Sequence, residues 1–153
     1  KRDGSSSRSH EQDVPMILFI DDDAEFMIDY VLALKQAFGE DEVCFVSDVD
    51  AALAKADELK GRIRLVIWDM MMSPGERYAL ERNVAGTETG RFLHRDLRRL
   101  LPEVVMLLFT NHRDHAIIDD FDSPPLDYAR AKRDVPLDDF VTLVRTLHGA
   151  TER

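Results

Sequence analysis

The feature that most constrains this chain is a rhythm: short apolar runs of strand length, each followed by a segment with apolar residues at helical spacing. "MILFI" (16–20), "VCFV" (43–46), "RLVIW" (64–68), "VVMLLFT" (104–110) and the weaker "LDYARA" (126–131) read as strands. Continuous apolar runs, rather than alternating ones, are what strands covered on both faces require. Between and after them lie five helical segments: "AEFMIDYVLALKQAF" (24–38), "DVDAALAKADEL" (48–59), "GRFLHRDLRRLL" (90–101), "HRDHAIIDDF" (112–121) and "LDDFVTLVRTLHG" (137–149). Phe26, Tyr30, Leu34 and Phe38 mark the apolar side of the first. Gly39 is placed to end it, Pro102 closes the third, and Pro136 stands at the first turn of the last. Strands alternating with helices predict an α/β fold: a doubly wound, five-stranded parallel sheet with helices on both faces and right-handed crossovers.

A chain of 153 residues is long enough to bury one real core. Residues 1–13, polar and serine-rich without periodicity, read as a flexible tail, leaving 14–150 as the domain. The net charge of −10 argues against nonspecific nucleic-acid binding and against attraction to an anionic membrane. No apolar run is long enough to span a bilayer, and no signal-peptide pattern is present. The single cysteine, Cys44, excludes an internal disulfide and reads as a buried core thiol. A cytoplasmic location is the expectation.

In open parallel sheets the functional crevice lies outside the carboxyl ends of the strands. Strand one ends on Asp21, Asp22 and Asp23, strand three on Asp69, and strand four on Thr110, while Lys132 follows strand five. Carboxylates that converge repel one another unless a cation joins them. Oxygen donors without a Cys/His cluster suit a hard ion, Mg²⁺ or Mn²⁺.

The pieces "ILFIDDD", "LVIWDMMMSPG" and "LLFT", with a lysine after strand five at the interval from Thr110 to Lys132, resemble the receiver domain of two-component response regulators. The likeness, to chemotaxis-type receivers in particular, runs from about Met16 to Leu147. It implies a flavodoxin-like sheet in the order 2-1-3-4-5. It also implies that Asp69 is a phosphoacceptor, taking a phosphoryl group from a sensor histidine kinase or phosphotransfer protein. Asp21, Asp22, Asp69 and the backbone carbonyl of Met71 would hold Mg²⁺; Lys132 and Thr110 would contact the phosphoryl oxygens. Phosphorylation would then bias a surface on the fourth helix, fifth strand and fifth helix and change partner contacts. A protein output partner is implied, and a homodimer through that surface stays open. "HGATER" after Leu147 leaves no output domain in these residues, so output is expected through protein contact or through parts of a longer chain.

Four positions depart from the family pattern. The glycine that should open helix three is Gly90, which leaves an insertion over about residues 74–89 carrying Glu76, Arg77, Glu81 and Arg82. It reads either as a lid or partner-reading loop, or as a tolerated surface insertion. Arg133 follows Lys132 where a proline is usual, so a cis bond is not expected there. The slot of the switch aromatic holds Ala129, with Tyr128 one position off; coupling through it requires a bulged strand. Asn111 replaces a very small residue after Thr110.

Plainer roles compete for some residues. Asp21 and Asp22 suit a helix N-terminus, though capping needs only one acid. Trp68 reads as core, and His112 and His115 as solvated. Arg91, Arg95, Arg98 and Arg99 read as a solvated helix face opposite Phe92, Leu93, Leu97, Leu100 and Leu101. The alternative function is a degenerate receiver, a phosphorylation-independent interaction module. A third, a Mg²⁺-dependent phosphohydrolase, wants an acid two residues after the nucleophile, where Met71 stands. A receiver promotes its own phosphorylation and dephosphorylation and is not expected to be a turnover enzyme.

Overall fold

A computed structural model describes residues 14–81, 86–112 and 114–151. The proposed tail, 1–13, lies outside the described residues, as does Arg82 of the insertion. Five strands are present, β1 (Met16–Ile20), β2 (Val43–Val46), β3 (Ile63–Trp68), β4 (Val105–Thr110) and β5 (Asp127–Ala131). The helices are α1 (Ala24–Phe38), α2 (Val49–Leu59), α3 (Thr89–Leu100), α4 (His115–Phe121) and α5 (Leu137–Thr151). All pairings are parallel and the sheet order is β2-β1-β3-β4-β5, the doubly wound order expected.

Successive side chains on a strand point to opposite faces, so each continuous apolar run feeds two cores. Ile17, Phe19, Leu65, Ile67, Leu107 and Phe109 pack against Met27, Val31 and Leu34 of α1 and Phe140, Val144 and Leu147 of α5. Leu18, Ile20, Val66, Trp68, Met106 and Leu108 pack against Ala52 and Ala56 of α2, Leu93 and Leu97 of α3 and Ile117 of α4. Phe109 stacks on Phe140 with ring centroids 4.7 Å apart. β5, at the sheet edge, carries only Ala129 and Ala131 fully buried, which is why its sequence signal was weak.

Caps set the helix starts. Asp48 accepts the Ala51 N–H (2.7 Å) ahead of α2, and Asp114 accepts the Ala116 N–H (2.9 Å) ahead of α4. The fourth helix therefore begins at His115, not His112. Gly39, at φ 118°, ends α1 with its N–H on the Lys35 carbonyl. The Pro124–Pro125 peptide bond is cis, whereas the bond after Lys132 is trans.

Candidate functional site

The three acids after β1 divide their work. Asp23 caps α1, its carboxylate accepting the Phe26 N–H at 3.2 Å. Asp21 turns inward, 1% exposed, with one oxygen on the Asp23 N–H (2.9 Å) and the other on Lys132 Nζ (2.7 Å). Asp22 is exposed and accepts the Ser73 N–H at 3.2 Å, tying the end of β1 to the loop after β3. Asp69 is buried where β3 ends; one oxygen accepts its neighbour's Met70 N–H (2.7 Å) and the other takes Lys132 Nζ (3.1 Å). Lys132 thus spans two carboxylates from different strands. The proline usual after such a lysine is not required: the chain leaves β5 through a 3₁₀ turn, Lys132–Asp134, that carries the side chain into the crevice.

Two buried carboxylates share one ammonium. Burial first, and then the Asp69 charge, push the Asp21 carboxyl up to about 6, against the pull of Lys132. Burial alone would depress Lys132, but Asp69 and Asp21 outweigh it and hold the ammonium above its usual range. The crevice therefore carries more buried negative charge than its own cation offsets.

Thr110 ends β4 fully buried, in register with Ala131, and its hydroxyl oxygen accepts the His112 N–H at 3.1 Å. Asn111 beside it is exposed. The β4–β5 register runs unbroken from Met106↔Asp127 to Thr110↔Ala131, so no bulge corrects the offset of Tyr128. Tyr128 packs on the α1/α5 face, while Ala129 faces the opposite core. Thr110, which alternates with Phe109 of the α1/α5 side, and Tyr128 therefore lie on opposite faces of the sheet.

The loop after Asp69 is held at both ends. The Gly90 N–H donates to the Met70 carbonyl at 2.8 Å, and α3 approaches so closely that a Cβ at Gly90 would lie 2.2 Å from the Asp69 carbonyl oxygen. Gly90 is the helix-opening glycine for this steric reason. The Met72 N–H donates to the Gly86 carbonyl at 3.1 Å, and Gly86 takes φ +73°. The first part of the insertion, 74–81, lies along α2 and α3. Asp50 accepts the N–H groups of Glu76 (3.1 Å) and Arg77 (3.3 Å), and Tyr78 is buried with its hydroxyl on Asp96 at 2.7 Å.

Asp96 and Tyr78 escaped the sequence reading. One aspartate among four arginines on a helix looks like part of a solvated face, yet Asp96 is 5% exposed and meets Arg77, Arg95 and Arg99 as well as Tyr78. Burial works against its ionisation, but hydrogen bonds from Tyr78, Arg95 and Arg77 win and hold its carboxyl below the usual range. The arginine face also needs correction at Arg98, which caps the Leu101 and Val104 carbonyls (3.1 and 2.7 Å) and pairs with Asp127 at 2.9 Å. That fixes the α3–β4 corner to the start of β5. His94 joins it, with Nε2 2.8 Å from Asp127 and its ring 5.0 Å from that of Trp68. Trp68 is buried core, as read, and its indole Nε1 has no hydrogen-bond partner among the described residues. His115 is exposed; His112 is half-buried and its Nδ1 accepts the Asp114 N–H.

Among the described residues, no three acidic, histidine or cysteine side chains are gathered to hold a metal ion by themselves. Magnesium ordinarily takes one or two carboxylates and keeps several waters, so a full cage is not what it needs. An all-oxygen donor set with uncompensated buried negative charge fits such an ion. Asp21 and Asp69, drawn together on Lys132, are the carboxylates that could hold it.

No protein-family model matches the chain, and no curated protein does. Solved structures do. A response regulator receiver domain protein from Clostridium thermocellum superposes with a TM-score of 0.70 at 19% identity, covering 91% of this chain and 98% of that one. A CheY-like receiver domain protein from Methanospirillum hungatei JF-1 gives 0.69 at 16%, covering 91% and 97%. The Vibrio cholerae chemotaxis protein CheY4 gives 0.60 at 17%, covering 88% and 98%. The chain has the receiver fold over about nine-tenths of its length. No described helix is long and apolar enough to cross a membrane.

Proposed function

We propose that this chain, folded as receiver domains are, is the phosphoacceptor module of a two-component signalling system. Asp69 accepts the phosphoryl group from a phosphohistidine donor, with Mg²⁺ bound. The observation that carries the reading is Lys132 Nζ bridging Asp21 and Asp69 at the carboxyl ends of β1 and β3. A carboxylate oxygen of Asp69 attacks phosphorus, the P–N bond to the donor imidazole breaks, and the imidazole leaves with the bonding pair. Lys132 then exchanges its bond to Asp69 for the phosphoryl oxygens, and the Thr110 hydroxyl turns to donate to one of them. Mg²⁺, held by Asp21 and Asp69, would supply the positive charge that offsets the transferring group. The Met70 N–H holds one oxygen of Asp69, which leaves the other, on Lys132, to attack as the lysine moves to the phosphoryl oxygens.

Access supports a protein donor. Phe26 and Met71 are exposed around the crevice, and Lys132 Nζ lies 5.9 Å from the Phe26 ring centroid. A partner reaching Asp69 covers this apolar rim. The output is a change in protein contacts; Tyr128 on the far face means that the change does not pass through a threonine–aromatic pair. That same observation favours the second reading, an interaction module indifferent to phosphate.

The test is incubation with Mg²⁺ and acetyl phosphate, or with a phosphorylated histidine donor, followed by intact mass. One added phosphoryl group on the wild type and none on Asp69→Asn is the expected result. An adduct that survives Asp69→Asn, or no adduct from either donor, overturns the proposal in favour of the second reading.

A further inference from the structure

Phe26, Tyr30, Leu34 and Phe38 recur at helical spacing on α1, yet only the last three are drawn into the molecule. Tyr30 meets the rings of Phe109 and Phe140, Leu34 is fully buried, and Phe38 packs on His148. Phe26 is 52% exposed. The buried line of the helix runs through Met27, Val31 and Leu34, which leaves Phe26 to one side of it, and the Asp23 cap fixes it there by taking the Phe26 N–H at 3.2 Å. What its ring meets is the crevice: Lys132 Nζ lies 5.9 Å from the centroid. That same Nζ is 2.7 Å from Asp21 and 3.1 Å from Asp69, so the ring stands within the span of one phosphoryl group and its leaving group from the acceptor oxygen. An exposed apolar residue by itself carries no meaning. An aromatic ring on the ammonium that bridges the acceptor is a different case, because it is held at the reacting atoms by the cation's attraction for its face.

We propose that Phe26 is a specificity-determining residue of the acceptor site, favouring phosphoryl donors whose leaving group is a flat imidazole ring. The inference rests on the phosphoacceptor reading and deepens it. In the transfer the bond from Asp69 oxygen to phosphorus forms as the P–N bond breaks, and the donor ring, protonated on its other nitrogen, departs as neutral imidazole. In-line displacement puts that ring on the side of phosphorus opposite Asp69, toward the mouth of the crevice where the half-exposed Phe26 stands. There Phe26 gives the departing ring an aromatic partner in offset or edge-to-face contact, and a leaving group without a ring gains nothing of that kind.

Phosphoimidazole and phosphoramidate present the same P–N bond, one with the ring and one without, phosphoramidate releasing ammonia. The experiment follows the labelling of the full chain by each donor with Mg²⁺, by intact mass, and takes the ratio of the two rates within each protein. Changes in stability, in cation binding or in the reactivity of Asp69 move both rates together and leave the ratio alone. Phe26→Ala is expected to lower the phosphoimidazole-to-phosphoramidate ratio about fivefold, and Phe26→Tyr, which keeps the ring, to preserve it. Ile28→Ala removes an equally exposed apolar side chain (50%) from the same helix and should preserve it too. An unchanged ratio in Phe26→Ala, or an equal fall in Ile28→Ala, overturns the role of Phe26 and leaves the phosphoacceptor reading standing. A wild type that neither donor labels removes both.

Discussion

Gly90→Ala and Gly149→Ala are the same substitution on two helices, and the structure requires opposite outcomes. At Gly149 on α5 a new Cβ meets nothing within 4 Å, so only helix propensity acts. Alanine gains up to about 1 kcal/mol there, less so near a fraying end. At Gly90 the new Cβ would lie 2.2 Å from the Asp69 carbonyl oxygen and 2.6 Å from Met70 Cα, both backbone atoms that cannot rotate aside. Ordinary contact needs about 3.5 Å, so the first turn of α3 must retreat by about 1 Å or the acceptor loop must move with it. Overpacking of this kind costs about 1–3 kcal/mol. Stretching the 2.8 Å bond from the Gly90 N–H to the Met70 carbonyl adds about 1 kcal/mol. Propensity returns at most about 1 kcal/mol, leaving a net loss of about 1–3 kcal/mol. For a chain of 153 residues that lowers the melting temperature by about 2–12 °C. Thermal unfolding followed by circular dichroism reads both variants on one scale. A Gly90→Ala protein as stable as wild type, or a Gly149→Ala protein that loses stability, refutes the close-approach reasoning.

Two further outcomes follow from charge. Lys132→Met leaves Asp21 and Asp69 buried together without their shared ammonium, a loss of about 3–5 kcal/mol; Mg²⁺ should then raise its melting temperature more than it raises that of wild type, and no such gain would count against the cation site. Asp127 sits in partial burial that opposes its ionisation, but His94 and then Arg98 hold its carboxyl below the usual range. A depressed acid stabilises the fold above about pH 4, and that contribution fades as pH falls through the folded value. Asp127→Asn should therefore cost about 1–3 kcal/mol at pH 7, with the gap to wild type closing below pH 4. A gap that stays constant in urea titrations across that range would refute the pairing.

Much of this molecule is legible without coordinates because its signals are local. Doubly covered strands need continuous apolar runs, and "MILFI" and "RLVIW" can satisfy little else. Strand-end acids and a lone distal lysine announce a crevice whichever way the helices pack, and Lys132 does meet Asp21 and Asp69. Gly90 was identifiable from its place before a helical pattern, though the reason, backbone against backbone, belongs to the fold. Arg98 shows the limit. Its spacing on α3 matched a solvated face, and it became a cap because β4 and β5 brought the Val104 carbonyl and Asp127 beneath it.

By itself, then, the amino-acid order determined the alternation of strands and helices, the sheet's two buried faces and the acids at its functional end. Those follow from residue type and period, which act over a few neighbours. Only the tertiary structure decided that Asp96 would be a buried anchor, that Tyr78 would meet it from 18 residues away, and that Tyr128 would turn from Thr110. A buried polar group is defined by what closes over it, and that partner is chosen by the packing of distant segments rather than by the residues beside it.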